Sequence, residues 1–306
     1  MKAISRASTS DMTLLILVAA IWASAFMAIK IAVPEVGPIW LAAIRVAIGA
    51  IALAPYALIK GVVLPSGLQM WALVVIMAVL NVVIPFFLIS WAELTIDAGV
   101  TSLLMGIGPF LALIGSHLFT ADDKINRRKA IGVAFGFTGV VTIVGWDALT
   151  QIGSGHLLAQ LAAIGGCVCY VTAGILIRRI DVPPLSLAFL ALVIGTIILI
   201  PLALATDGML AALPSSGTLM ALLYLGVFPT GIAYILRFYL INKVGYSAFA
   251  MSVNLIPVFG ILMGVVLLGE PLRPQVLIAL ILVLFGLYFM RSGGPQDDVA
   301  PAKPAE

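Results

Sequence analysis

Long apolar runs, broken by short clusters of proline, glycine and charge, make up almost the whole chain. Ten runs can be read in turn, at residues 12–32, 38–59, 68–91, 98–119, 129–146, 155–177, 184–205, 218–241, 246–268 and 275–290. Most are about 20 residues long, enough for an α-helix rising 1.5 Å per residue to cross a hydrocarbon layer of about 30 Å. Apolar positions are continuous within each run rather than alternating, which excludes the strands of a membrane barrel. The pattern predicts an all-α polytopic membrane protein with ten transmembrane helices. Lys2 and Arg6 before the first run resemble the start of a signal peptide. The run's length and the lack of a small-residue cleavage site before Lys30 favour a retained span. The polar, proline-rich tail at 292–306 is expected to be disordered and cytoplasmic.

Composition narrows the class. Hydrophobic residues are 63% of the 306, charged residues 9%, and mean hydropathy is +1.22. An ordinary soluble domain is about a quarter charged. Thirteen acids and sixteen Lys and Arg cannot coat a 32.1 kDa globule. A soluble enzyme, a nucleic-acid binder and a disordered scaffold are excluded, leaving the lipid bilayer and a small-molecule substrate as the expected partners. Monomer and homodimer both remain open. The placement of charge gives an orientation. Thirteen of the sixteen basic residues fall at the termini and in the loops after helices 2, 4, 6 and 8, against Lys30 and Arg273 on the other side and Arg45 within helix 2. The positive-inside rule then puts both termini in the cytoplasm. Cys167 and Cys169, two apart on one helix, diverge too far to bridge and read as packing residues.

The second half repeats the first at an offset of 148 residues. Pro109 falls on Pro257, Asp122 on Glu270, Trp22 on Tyr170 and Lys30 on Arg178. Four coincidences at one offset imply a duplicated five-helix unit, over 1–146 and 147–291. Five is odd, so a second copy enters the membrane from the opposite side and the halves are inverted. Inverted repeats around a central site are an architecture of secondary transporters that work by alternating access.

The segments that carry the repeat also carry a family resemblance. Ile21–Lys30 (IWASAFMAIK), Pro38–Arg45 (PIWLAAIR) and Val253–Leu272 (VNLIPVFGILMGVVLLGEPL) resemble signatures of the drug/metabolite transporter superfamily in its ten-helix EamA branch. The first-half counterpart, Gly106–Ile125, is more divergent, with Asp122 where a Glu is expected. Within that branch the chain is most similar to bacterial amino-acid exporters, including the aromatic amino-acid and methionine exporter group. The resemblance implies a basket of helices 1–4 and 6–9 around a central cavity, helices 5 and 10 as outer supports, and two four-helix bundles that alternate access. It implies export of amino acids or similar small neutral or zwitterionic metabolites across a bacterial inner membrane. The alternatives are a drug or other metabolite permease of the same fold, or a non-transporting membrane assembly protein.

Candidate chemistry is sparse. A charge at the bilayer centre costs several kcal/mol, and no Asp or Glu lies mid-span. Glu93 and Asp97 fall in the 3–4 loop, and Asp122 and Glu270 just outside helices 4 and 9. Antiport through a mid-membrane carboxylate is therefore disfavoured, and neutral or zwitterionic solutes suit the expected cavity better. Arg45 is the deepest ionisable group: its donor fork can meet a substrate carboxylate, or it can snorkel to the interface or bond to helix-end carbonyls. Arg237 reads as an anchor. Asn81, four before Pro85, and Asn254, three before Pro257, can bond to a solute or glue helices together. Pro85, Pro109, Pro229 and Pro257 are candidate hinges or packed kinks. Trp22, Tyr170 and Tyr234 are candidate cavity walls, with ordinary packing as the alternative, while Trp91 and Tyr239 suit the interface belt. The Gly132-x-x-x-Gly136 spacing allows close helix approach, at a dimer face or internally. No HExxH, Walker or GxSxG motif occurs, and the histidines, His117 and His156, lie far apart. No enzyme activity, cofactor or metal is expected.

Overall fold

The computed structural model describes residues 8–119, 125–150, 155–210, 212–244 and 246–291, all in helices and short connections. The expected tail and Asp122 lie outside these residues. Helices α1 (Thr9–Val36), α2 (Pro38–Lys60) and α3 (Leu68–Ala92) are followed by α4, in two pieces, Ala98–Met105 and Gly108–Phe119. Then come α5 (Arg127–Thr150), α6 (His156–Ile177) and α7 (Pro184–Thr206). Helix α8 runs as Ser216–Leu225, Gly226–Ile232 and Ala233–Val244, α9 as Tyr246–Val253 and Ile256–Leu268, and α10 as Pro274–Arg291. A single residue separates α1 from α2. Gly37 takes φ +75°, which an L side chain resists, and Pro38 sits where the first helical N–H has no acceptor.

Four of the helices are interrupted, at positions that correspond between the halves. Helix α3 widens to a π-helix over Val79–Val83, and α8 does so over Gly226–Ile232. Shifting the first by 148 residues gives 227–231, inside the second. Helix α4 breaks at Gly106–Ile107 and α9 at Asn254–Leu255, the same positions at that offset. Pro109 and Pro257 each stand second in the piece after the break. A proline cannot donate to the carbonyl four residues earlier, so the helix opens where the break finds other partners. For Pro109 that carbonyl belongs to Met105, and Cys167 Sγ lies 3.7 Å from it as a donor.

Helix pairing follows the same symmetry. Helix α1 packs on α8 and α9, and α6 packs on α3 and α4; α2 meets α8 as α7 meets α3. Each pair becomes its counterpart when every helix is exchanged with the one five positions away. The pairs α2–α7, α4–α9 and α5–α10 map onto themselves and join the halves. Two groups result, α1, α2, α8, α9 and α3, α4, α6, α7. The α5–α10 pair packs face to face beside α4 and α6. Its contact needs bare glycines: a Cβ on Gly132 would stand 2.6 Å from the Gly286 carbonyl oxygen. The Gly132 face is thus used internally. Large apolar side chains such as Ile51, Ile197, Val266 and Tyr288 remain exposed around the waist, as a lipid-facing belt requires.

Candidate functional site

Helix α8 supplies the scaffold for the polar centre. Pro229 leaves the Leu225 carbonyl without its usual helical donor, and the Thr230 hydroxyl donates to it at 2.8 Å. Arg45 Nε donates in turn to Thr230 Oγ1 at 3.2 Å. The guanidinium carbon sits 3.8 Å from the centre of the Phe86 ring, so α2, α3 and α8 meet at this residue. Arg45 is 6% exposed. The side chain turns inward onto the helix break of α8 rather than outward to the interface. Its terminal nitrogens have no protein hydrogen bond among the described residues.

Several other expected residues gather around Arg45. Tyr170 and Tyr234 lie close enough to be coupled to it electrostatically, and to each other. Trp22 donates from Nε1 to the Pro229 carbonyl at 3.1 Å and meets the Phe249 ring edge-on at 5.7 Å. Asn81 sits in the π-helical stretch of α3, four residues before Pro85, and Asn254 sits in the break of α9. Both are half-buried, and neither amide has a protein partner among the described residues. Arg237 places its guanidinium 5.9 Å from the Phe249 ring, and its buried Nε has no hydrogen-bond partner among the described residues.

One residue placed in a loop by its sequence belongs to the interior. Glu93 ends α3, and the turn that follows folds it inward, so that it is 0% exposed. Neither carboxyl oxygen has a hydrogen-bond partner among the described residues. Glu93 lies past the end of α3, as expected, but it is a buried carboxylate, which the expectation of a cavity without one did not include. The turn is pinned by Lys30, whose ammonium donates to the Glu93 and Ile96 carbonyls at 2.8 Å each. Burial pushes the Glu93 carboxyl well above the usual carboxylate range; nearby Glu270 pushes it the same way, and Lys30 and Arg45 oppose. Nothing at position 93 in the sequence signals this, since the decisive neighbour, Lys30, lies 63 residues away.

Contacts at this end of the molecule cross between the two helix groups. Gly269, with φ +68°, ends α9 and turns the chain back. Glu270 then accepts from the backbone N–H groups of Ala98 and Gly99 at 2.7 and 2.9 Å. It thereby caps α4, whose own Asp97 makes no capping bond and lies 3.9 Å from Arg273. Bare glycines bring α4 and α9 together here: a Cβ on Gly260 or Gly264 would collide with Ser102 or Glu270. Beside this contact, Ile96, Asp97, Val100, His156 and Arg273 line a shallow cleft that holds none of the expected cavity residues. On the same end Glu35 accepts from Ser215 N and Oγ at 2.6 and 2.7 Å, tying α1 to α8. At the other end of that pair Lys243 meets Asp11 at 2.8 Å.

Similarity to known proteins runs the length of the chain. An inner membrane transporter of Escherichia coli K12, YedA, is 25% identical over 287 residues, covering 93% of this chain and 90% of the relative. A probable terminal-alkyne amino-acid exporter of Streptantibioticus cattleyicolor is 26% identical over 266 residues, with 86% and 87% covered. The uncharacterised transporter YoaV of Bacillus subtilis strain 168 is 23% identical over 277 residues, covering 90% and 94%. A solved crystal structure superposes with a TM-score of 0.65 at 19% identity, over 94% of this chain and 99% of the other, and shares the fold. The EamA-like transporter family profile matches twice, over residues 10–145 and 157–292. With both halves matched, the chain belongs to the EamA-like transporter family of the drug/metabolite transporter superfamily and is a multi-span membrane transporter, not an enzyme.

Proposed function

We propose that the protein exports amino acids or similar small zwitterionic metabolites across a bacterial inner membrane, by alternating access between two inverted five-helix halves. Arg45 is the observation that carries the substrate class. Its guanidinium is held at Nε by Thr230 and on one face by Phe86, with the remaining fork free for a carboxylate. Trp22, Tyr170 and Tyr234 nearby supply a wall for an apolar or aromatic side chain. The amino-acid exporter among the relatives supports the same class. Both termini are placed in the cytoplasm by the positive-inside rule, so the 3–4 and 9–10 loops face outward. Pro85, Pro109, Pro229 and Pro257 lie at the interruptions of α3, α4, α8 and α9 and serve as the hinges of the two helix groups.

The test is uptake of labelled L-phenylalanine, L-methionine and L-threonine into proteoliposomes, with no ion gradient imposed. Saturable uptake with mutual competition is expected, and Arg45→Ala should abolish it. If no amino acid enters faster than into empty vesicles, the substrate class is wrong. Uptake confined to carboxylate-free solutes would point instead to a drug permease.

A further inference from the structure

The cross-group contacts at the outer end enclose one acid that none of them uses. Lys30 engages the backbone carbonyls of residues 93 and 96 rather than the Glu93 carboxyl. Glu270 is occupied by the N–H groups of Ala98 and Gly99. Arg45 is held at Nε by Thr230 and against the Phe86 ring, and none of its nitrogens bonds to the Glu93 carboxyl. Glu93 is left fully buried, with both oxygens unpartnered. An ionised carboxylate enclosed in this way has no hydrogen-bond donor and no direct ion pair, only the more distant charges of Lys30 and Arg45, a state that costs several kcal/mol. The neutral acid avoids most of that penalty.

We propose that Glu93 is a proton-binding site that operates the outer gate, the gate closing over the neutral acid and opening when the proton leaves to external water. The proposal rests on the orientation and transport reading given above. On opening, the O–H bond breaks, its electron pair stays on the carboxylate oxygen, and the proton passes to water. The new carboxylate then competes for the Lys30 ammonium. If Lys30 turns from the two carbonyls to the carboxylate, the Ile96 carbonyl loses its donor and the turn leading into α4 is released from α1. The charged groups facing Glu93 are Lys30 from α1, Arg45 from α2 and Glu270 from the end of α9. Helix α6 presents Tyr170 near Arg45 and His156 at the rim cleft, where Asp97 and Arg273 also lie. The sign follows from these neighbours. Because the closed form holds the proton more tightly than the open form, closure is favoured at low external pH and lost as pH rises.

A gate reporter tests this without a substrate. In full-length protein carrying Cys167→Ser, Cys169→Ser and Val100→Cys, reconstituted in liposomes, labelling by an impermeant maleimide is followed from about pH 6 to about pH 9 and normalised to the unfolded chain. With Glu93 present, the normalised rate should rise by roughly tenfold, the effect of one unit of differential proton affinity. Glu93→Gln should abolish the pH response, and Glu93→Asp should restore one. A response unchanged in Glu93→Gln, or no response with Glu93 present, overturns the proposal. Failure of L-phenylalanine, L-methionine and L-threonine uptake would sink the substrate class while leaving this measurement valid.

Discussion

Arg45, Thr230 and Leu225 form a single hydrogen-bonded chain across two helices, and the middle member is the weakest point. Replacing Thr230 by the isosteric Val leaves a carbonyl and a guanidinium N–H without their partners. Each buried unsatisfied group costs about 1–3 kcal/mol. We expect Thr230→Val to lower the thermal unfolding midpoint of detergent-solubilised protein and to weaken uptake of carboxylate-bearing probes, with Thr230→Ser close to normal on both counts. At this scale Arg45, Tyr170 and Tyr234 are legible from sequence, because an arginine or a mid-span aromatic stands out against apolar neighbours. Thr230 and Glu93 are not. A threonine in an apolar helix is common, and its role here depends on Pro229 one residue before it and on Arg45 far away in the chain. Glu93 follows the apolar run of α3 and resembles the start of any loop; only the long-range contact with Lys30 reveals that the turn folds inward.

Individual helices show a second division between what sequence reveals and what it hides. The ends of the helices follow proline, glycine and charge closely, as at Gly37–Pro38, where the residues that stop one helix start the next. The breaks in α4 and α9 are signalled by Pro109 and Pro257, since a proline inside an apolar run leaves a carbonyl that must find another donor. Proline marks the π-helical stretches of α3 and α8 as well, with Pro85 two residues after the first and Pro229 inside the second, but it does not tell a widened turn from a break, because one extra residue per turn hardly alters an apolar run. The α5–α10 pair gives a prediction at this scale. Gly132 and Gly286 face each other backbone to backbone, with no room for a side chain between them. Overpacking of this kind costs about 1–3 kcal/mol or more. Gly132→Leu should therefore lower the unfolding midpoint, whereas Gly174→Leu, where a Cβ would meet nothing within 4 Å, should not. Equal losses in the two variants would mean that the close approach of α5 and α10 contributes little.

Across the whole molecule, polar contacts between the two helix groups concentrate at the end bearing the 3–4 and 9–10 loops. If transport requires these contacts to part, fixing them should stop it. A short bifunctional thiol reagent joining cysteines placed at positions 97 and 273, where an ion pair now bridges the groups at 3.9 Å, should arrest uptake. Reduction of a cleavable linker should restore it, and full uptake with the link intact would show that this end does not open. The cap on α4 adds a mechanical consequence. A helix normally carries its own terminal hydrogen bonds with it when it moves, but α4 borrows its cap from Glu270 of the opposite group. Separation therefore leaves two N–H groups to water and forfeits a cap of about 0.5–2 kcal/mol. That loss acts as a restoring spring. Without a solute or a charge change to hold the groups apart, the molecule returns to rest with this end shut, and a carrier built this way leaks little while it waits.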